Sequence, residues 1–575
     1  MTNYMTEYER WLDSPALTEA EWQELNSLRD NEKEIKERFF APLEFGTAGL
    51  RGTMKLGLHN MNIHIIRQAT QSFANVISKE GAAAMEKGVA VAYDCRNNSA
   101  LFAREAACVM AANGIKVRIF DDLRPTPELS FAVRYYGTQA GINITASHNP
   151  KEYNGYKVYW SDGAQLPPQH AEAIAKEMEV TDIFTGFKTM DFDEAVASGM
   201  ITVIGAETDE AYLEKVLGQA INKEVVKEVA DKLHIVYTPF HGAGHKLVPE
   251  ALTRLGIKHI HPVAEQMVID GNFPTVASPN PENPEGFYLG IELAKKIGSD
   301  LIIGTDPDSD RIGVMVREGD DFVCITGNQL GALLLNYVIK ARKEMGTLPA
   351  NAAAAKSIVT TNLAREICER NGVHMEDTFT GFKFMAEKVA QWEKDGSHEY
   401  IFAFEESYGY MMGDYVRDKD AVTASMMVAE MAAFYMTKGM TLRDALGEIF
   451  AEYGIYAERT LNLVMPGVDG LEKMAKLMSD LRENPPKDIA GITVSMQRDF
   501  ATGTMTVPGL GVVGETHIKG SNVLYYELSD GTTFIVRPSG TEPKVKVYIL
   551  TRGESQAICD EKIEKLAAFA ETLKG

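Results

Sequence analysis

The chain has 575 residues, of which 45% are apolar and 24% charged, ordinary values for a soluble globular protein and far from disordered or collagen-like compositions. That length exceeds what one hydrophobic core sustains, so about four domains are expected. Acidic residues (81) outnumber basic ones (58) for a net charge of −23, which argues against nucleic acid or an anionic membrane as the main partner; an anionic small substrate would need basic groups concentrated in a cleft.

The five cysteines (Cys95, Cys108, Cys324, Cys368 and Cys559) are scattered without a C-x-x-C pair, the pattern of reduced thiols in a cytosol. The polar, acidic N-terminus MTNYMTEYERWLDSP does not read as a signal peptide. The longest apolar stretch, Ala421 to Met436, is interrupted by Glu430 and falls short of the roughly 20 residues that cross a bilayer. A cytoplasmic protein without leader or anchor is expected.

In chain order, SPALTEAEWQELNSL places Thr18 as a helix N-cap, so residues 1–44 read as an N-terminal helical extension. The Gly-rich stretch from Gly46 to Gly52 reads as a turn. Short β-branched runs then alternate with amphipathic stretches, the pattern of βα units in largely parallel sheets. One set holds GVAVAYD, IKVRIFDD and AGINITASHNP; a second holds HIVYTPFHGAG, IKHIHPVAE and DLIIGTDPDSD; a third holds SIVTTNL, VHMEDTFTGFK and EYIFAFEESYGY. They look like three versions of one α/β plan. In each, the last strand runs into a polar loop, where ligands of such sheets bind. After Gly454 the character changes to α+β, ending in GTTFIVRPSGTEPKVKVYIL. The expected fold is therefore α/β in four domains: three similar α/β domains at 45–215, 216–325 and 326–454, and a C-terminal α+β domain at 455–575.

Four loops carry candidate chemistry. In Thr145-Ala146-Ser147-His148-Asn149-Pro150, ordinary turn residues in themselves, Ser147 beside His148 is a candidate nucleophile or phosphoryl carrier. Lys157 downstream is a cation able to neutralise phosphate or move a proton. No G-x-S-x-G elbow surrounds Ser147. In Asp306-Pro307-Asp308-Ser309-Asp310-Arg311, three carboxylates at alternate positions repel one another unless a cation joins them. The spacing does not fit an EF-hand; few hard oxygen ligands on a short loop suit Mg²⁺ sharing a phosphate oxygen, with Arg311 as a donor to that phosphate. In Phe404-Glu405-Glu406-Ser407-Tyr408-Gly409-Tyr410, carboxylates and hydroxyls suit sugar hydroxyls, and Lys383 in Thr380-Gly381-Phe382-Lys383 adds a cation. In Arg537-Pro538-Ser539-Gly540-Thr541-Glu542-Pro543-Lys544, an arginine, two hydroxyls, a glycine and a lysine between strands meet the needs of a phosphate dianion.

These four loops, in this order, resemble those of the α-D-phosphohexomutase superfamily: TASHNP its phosphoserine loop, DPDSDR its metal loop, EESYG its sugar loop and RPSGTEPK its phosphate loop. The likeness runs from FGTAGLRG, near residue 45, to the C-terminus. It implies four domains around a central cleft, with Ser147 carrying the phosphoryl group and Asp306, Asp308, Asp310 and Ser147 binding Mg²⁺. It further implies that Arg51 and Lys157 lie near the reacting phosphate and that Lys383 contacts substrate or transfers a proton. Glu405 and Ser407 would hold the sugar, with His148 and Arg311 also in the substrate site, and Arg537, Ser539, Gly540 and Thr541 would grip the distal phosphate. EESYG resembles the glucose-type branch, implying exchange of glucose 1-phosphate and glucose 6-phosphate, glucose 1,6-bisphosphate as intermediate and activator, and a monomer or weak homodimer. A mannose or pentose phosphate specificity, a metal-dependent phosphatase and a silent sugar-phosphate sensor are the competing readings.

Overall fold

The computed structural model describes residues 3–46, 48–465, 470–539 and 544–574. The chain divides into two compact units: Met1–Thr326 with Ala386–Lys394 and Ser407–Gly439, and Gly327–Met385 with Asp395–Glu406 and Met440–Gly575.

The first unit opens with three helices, α1 (Tyr4–Leu12), α2 (Glu19–Asn26) and α3 (Glu32–Phe39). Thr18 caps α2 as expected, in a reciprocal capping box with Glu21. These helices form more than an appendage. Tyr8, Trp11, Leu25 and Phe39 are buried in the same core as Ile65, Val91 and Ile142, and the Trp11 ring meets Phe39 and Phe184 edge-on. Arg38 receives the His59 amide on its carbonyl and donates from its guanidinium to the Leu56 carbonyl, tying α3 to the segment that follows the Gly-rich turn.

That turn is closed by reciprocal hydrogen bonds between the Gly46 and Gly49 backbones. Its second half, expected as turn, is strand β1 (Leu50–Thr53), because Leu50 to Thr53 pair with Tyr156 to Tyr153 at the sheet edge. The sheet contains β2 (Val89–Tyr93), β3 (Val117–Phe120), β4 (Ala140–Ile144), β5 (Tyr153–Trp160) and β6 (Ile201–Ile204), in the order β1-β5-β4-β2-β3-β6. Helices α4 (Ile63–Lys79), α5 (Ala82–Lys87), α6 (Ser99–Ala112) and α7 (Thr126–Tyr136) accompany it, α6 and α7 both lying against β2 and β4. The second sheet, β7 (His234–Thr238), β8 (His259–Pro262), β9 (Leu301–Thr305), β10 (Ile312–Glu318) and β11 (Asp321–Ile325), runs β11-β10-β9-β7-β8.

In both sheets the strands before the polar loop are parallel, but β5 and β10 return antiparallel to β4 and β9. The TASHNP and DPDSDR loops are thus tight reversals and not βα crossovers, since connections of eight and six residues leave no room for a helix. The apolar run after Asp420 is the helix Ala421–Thr437, buried from Ala421 to Tyr435. Among the described residues no helix is long and apolar enough to cross a membrane.

In the second unit, β12 (Ala352–Ser357) pairs in parallel with both β13 (His374–Thr378) and β14 (Glu399–Glu405). The strand begins at Ala352, where SIVTTNL begins at Ser357: the alanine run is the strand, and Ile358 and Val359 turn out of it into a core shared with Phe500, Ile535 and Tyr548. The C-terminal sheet places Ile455–Val464, Lys544–Gly553, Thr533–Pro538, Leu524–Leu528 and Ile492–Asp499 side by side, all antiparallel.

Candidate functional site

In the first unit the phosphoserine-type loop and the aspartate loop meet. Ser147 is buried, and its hydroxyl donates to Asp306 Oδ2 at 2.9 Å with His148 Nδ1 3.3 Å away. Its backbone is left-handed (φ 52°), as is that of Ser309 (φ 52°). Such conformations cost energy in non-glycine residues and persist where the surroundings enforce them. For Ser147 the enforcement is visible: its amide donates to Thr145 Oγ1 at 2.8 Å, and Arg96 Nη2 donates to its carbonyl at 2.6 Å. Arg96 also donates to the Pro150 and Tyr153 carbonyls while paired with Asp94, and Asp94 accepts from the Thr145 and Ser99 hydroxyls.

Asp306, Asp308 and Asp310 are buried, with carboxylate oxygens within 4.8 Å of one another. Asp306 Oδ1 accepts the Asp310 and Arg311 amides. Asp308 Oδ2 accepts from Lys157 Nζ at 2.8 Å and Thr126 Oγ1 at 2.7 Å. Asp310 Oδ2 is paired with Lys419 at 3.3 Å and Lys157 at 3.5 Å. Asp308 Oδ1 and Asp310 Oδ1 are buried without a hydrogen-bond partner. Enclosed carboxylate oxygens left over in a trio of acids fit a hard divalent cation. The loop is backed by the segment after β7. The Ala243 amide donates to the Pro307 carbonyl, and a side chain at Gly242 would strike Pro307, at 2.5 Å from its Cα.

The charges respond as this arrangement requires. Burial, then repulsion from Asp308 and Asp310, holds the Asp306 carboxyl well above its usual range. Burial opposes ionisation of Asp308 too, yet the Lys157 ammonium and Thr126 hydroxyl hold it low. Burial and the Asp308 charge work against Asp310, whose carboxyl Lys419 and Lys157 nevertheless hold below normal. Burial would discharge Lys157, but Asp308 and Asp310 raise its pKa overall, so it is a fixed cation. His148 is pushed the other way, by burial and by the positive charges of Arg311 and Arg51, and is neutral near pH 7.

Arg51, exposed on β1, donates to Asn149 Oδ1 at 3.0 Å. Arg311 donates to Glu282 Oε1 at 2.8 Å and to the Ser407 carbonyl at 3.1 Å, and the Ile312 amide donates to the carbonyl of Tyr408, whose backbone is also left-handed (φ 66°). The first unit therefore brings together Ser147, His148, the three aspartates, Lys157, Arg51 and Arg311, with Ser407 on Arg311.

The second unit carries Glu405, Lys383, Arg537 and Ser539. Glu405 Oε1 accepts the Gly381 amide, beside Lys383, whose ammonium lies 4.9 Å from the Phe384 ring centroid. Glu406 accepts from the Ser357 and Thr360 hydroxyls, and its carboxyl is raised to about 7 by burial and then by the Glu405 charge. Arg537 stands opposite Lys546 on the last hairpin and donates to Tyr548. Burial, then the charge of Glu406, raises the Tyr548 phenol, to which Arg537 donates. Gly540 and Thr541 lie outside the described residues.

Residues that motif reading passed over include Arg96, Thr126, Lys419 and Glu282. The signal for Arg96 was Asp94-x-Arg96 at the end of the apolar strand GVAVAYD; for Lys419 it was a lysine between two aspartates just before a wholly apolar helix. Thr126 carried no signal of its own.

Models of phosphoglucomutase/phosphomannomutase domains match the chain four times: alpha/beta/alpha domain I at residues 42–183, domain II at 210–319, domain III at 326–453 and the C-terminal domain at 486–562. A phosphoglucomutase of Staphylococcus aureus (strain MSSA476) is 35% identical over 526 residues, covering 90% of this chain and 91% of the relative. The chain belongs to the phosphoglucomutase/phosphomannomutase family. It is a phosphotransferase of the mutase type. Solved structures share the fold: a phosphoglucomutase/phosphomannomutase family protein from Burkholderia thailandensis (TM-score 0.66, 20% identity, 92% of this chain and 97% of the other) and parafusin, a phosphoglucomutase from Paramecium, in an open form (TM-score 0.68, 18% identity, 93% and 95%).

Proposed function

We propose that this chain interconverts α-D-glucose 1-phosphate and glucose 6-phosphate through a phosphorylated Ser147, with glucose 1,6-bisphosphate as intermediate and activator. The observation that carries the reading is the buried Ser147 hydroxyl, 2.9 Å from Asp306, inside an aspartate trio faced by Lys157, on a chain so similar to phosphoglucomutases.

Asp306, Asp308 and Asp310, with the Ser147 phosphate, would hold Mg²⁺. When bound, that ion supplies charge neutralisation to the transferring phosphoryl group. The chain's own groups do the rest. In the first half-reaction the Ser147 Oγ–P bond breaks as a sugar oxygen bonds phosphorus, the sugar hydroxyl giving up its proton and Ser147 Oγ taking one up; in the second, the other sugar O–P bond breaks as Ser147 Oγ bonds that phosphorus, and the freed sugar oxygen takes up a proton. As Ser147 is rephosphorylated its hydroxyl loses a proton, for which the neutral His148 Nδ1, 3.3 Å away, is the acceptor in reach. Lys157, fixed as a cation, and Arg51 serve the reacting phosphate by charge. Glu405, Ser407 and Lys383 serve the sugar, while Arg311 contacts substrate beside the Ser407 carbonyl. Arg537 and Ser539, with Gly540 and Thr541, serve the distal phosphate.

The test combines peptide mass analysis with rates on a panel of 1-phosphosugars. Partial phosphorylation at Ser147, loss of turnover in Ser147→Ala, and preference for glucose 1-phosphate over mannose 1-phosphate are expected. Wild-type turnover in Ser147→Ala would refute the phosphoserine, steady release of inorganic phosphate would mark a phosphatase, and a reversed sugar preference would overturn the glucose reading.

A further inference from the structure

Asp308 carries an asymmetry that the four motif loops do not explain. Its Oδ2 takes two donors, Lys157 Nζ and Thr126 Oγ1, while its Oδ1 takes none. Thr126 is the first residue of α7 and fully buried, and its amide also donates to the Asp308 carbonyl at 2.8 Å. One residue of the first sheet's domain thus grips Asp308 on the aspartate loop of the second, at backbone and side chain together. The amide is one of those that a helix start leaves without an intrahelical partner, so the grip satisfies α7 as well.

The direction of the hydroxyl bond is set from behind. A threonine hydroxyl has a single hydrogen, and Asn143 Nδ2 donates to Thr126 Oγ1 at 2.7 Å. With its oxygen accepting from Asn143, the hydroxyl hydrogen goes to Asp308. Asn143 is fully buried on β4, where it stands directly opposite Lys157 on β5. Two cross-strand neighbours therefore hold the same carboxylate oxygen, Lys157 directly and Asn143 through Thr126.

We infer that Thr126, with Asn143 behind it, is a positioning residue that turns Asp308 so that Oδ1, and not Oδ2, is presented to the cation. The inference rests on the aspartate trio being a metal site. The Thr126 side chain is fully buried and hydrogen-bonds to Asp308 and Asn143, so its effect passes through Asp308. Partners of this kind, behind a ligating side chain, typically govern metal affinity by about 10–100-fold.

The experiment is direct titration of the unphosphorylated full-length protein with Mn²⁺, followed by its electron paramagnetic resonance, together with Mg²⁺ titration by calorimetry. Thr126→Val keeps the shape and loses the hydroxyl; it is expected to bind about 10-fold or more weakly and to change the bound Mn²⁺ spectrum. Thr126→Ser keeps the hydroxyl and the amide, and is expected to bind within about threefold of wild type. Unfolding midpoints in EDTA, unchanged in Thr126→Ser and moderately lowered in Thr126→Val, separate folding from binding. If wild type binds Mn²⁺ and Thr126→Val binds it equally well, or if Thr126→Ser fails as badly as Thr126→Val, the positioning role is wrong. If wild type itself binds neither ion, the metal reading of the site fails and the inference goes with it.

Discussion

Replacing Lys157 with methionine probes the balance of charge in the first unit. The ammonium lies 2.8 Å from Asp308 and 3.5 Å from Asp310, so at an effective dielectric near 20 the two attractions are about 6 and 5 kcal/mol gross. Bringing the lysine out of water opposes much of that, and removal of one partner from a buried ionic cluster typically costs about 3–5 kcal/mol. Lys157→Met should therefore lose about 3–5 kcal/mol of stability in EDTA. Mg²⁺ should restore part of the loss, because the lysine and a divalent cation compete for the same carboxylates. Removing the lysine should tighten Mg²⁺ binding by about 10-fold, equivalent to about 1.4 kcal/mol. On the proposed mechanism phosphoryl transfer should still fall by about 10²-fold or more, since Lys157 is there the cation that meets developing charge. Urea unfolding in EDTA and in saturating Mg²⁺, calorimetric titration and steady-state kinetics measure the three quantities. Weaker Mg²⁺ binding in the variant, or a stability loss that Mg²⁺ leaves unchanged, would refute the competition. The contrast with Thr126→Val is diagnostic, because a neutral positioning group and a competing charge must shift metal affinity in opposite directions.

Two further outcomes are expected. Arg537→Ala should weaken glucose 1-phosphate and glucose 6-phosphate alike by one to two decades, for the loss of a charge-assisted contact worth about 1.5–3 kcal/mol, while phosphoserine and metal content stay intact; impairment with one substrate only, in steady-state kinetics run both ways, would move Arg537 to the reacting phosphate. Glu406 bears on pH dependence: with its folded pKa at about 7 against an ordinary 4.5, the folded state holds the extra proton between those values, so wild-type stability falls as pH rises from 4.5 to 7 and stays lowered above. Glu406→Gln removes that penalty and should gain about 1–3 kcal/mol relative to wild type at pH 8 and nothing comparable at pH 4; equal differences at both pH values in denaturant titrations would refute it.

The residues gathered in the first unit were legible wherever they sat on contiguous loops. Ser147 and the aspartate trio declare themselves because polar residues at the end of an apolar strand have no packing reason to be there, and the structure brings them, with Lys157 of β5, within hydrogen-bond reach. The reversal of strand direction after those loops was not legible. A βα unit and a tight antiparallel return both begin with an apolar strand and a polar loop; what separates them is the left-handed backbone at Ser147 and Ser309, a conformation that serine does not advertise. Ser147 is held in it by Arg96, whose contacts run to carbonyls fifty residues away, and single-residue spacing cannot reveal them.

The strand at Ala352–Ser357 fails for a related reason. Alanine is a helix former by intrinsic preference, while Ile358 and Val359 look like strand residues. Inside the sheet every position of the run is buried, and β12 is flanked by parallel partners on both sides, so small side chains suit the space and the β-branched pair is free to turn into the next core. Thr126 is the limiting case. A threonine at a helix start following a proline is ordinary capping chemistry in sequence, and its hydroxyl serves no cap on α7. Its amide and its hydroxyl are both turned outward, onto an aspartate 182 residues away. A helix start whose first amide and hydroxyl both go to a neighbouring domain's carboxylate residue couples the placement of that carboxylate to the start of α7.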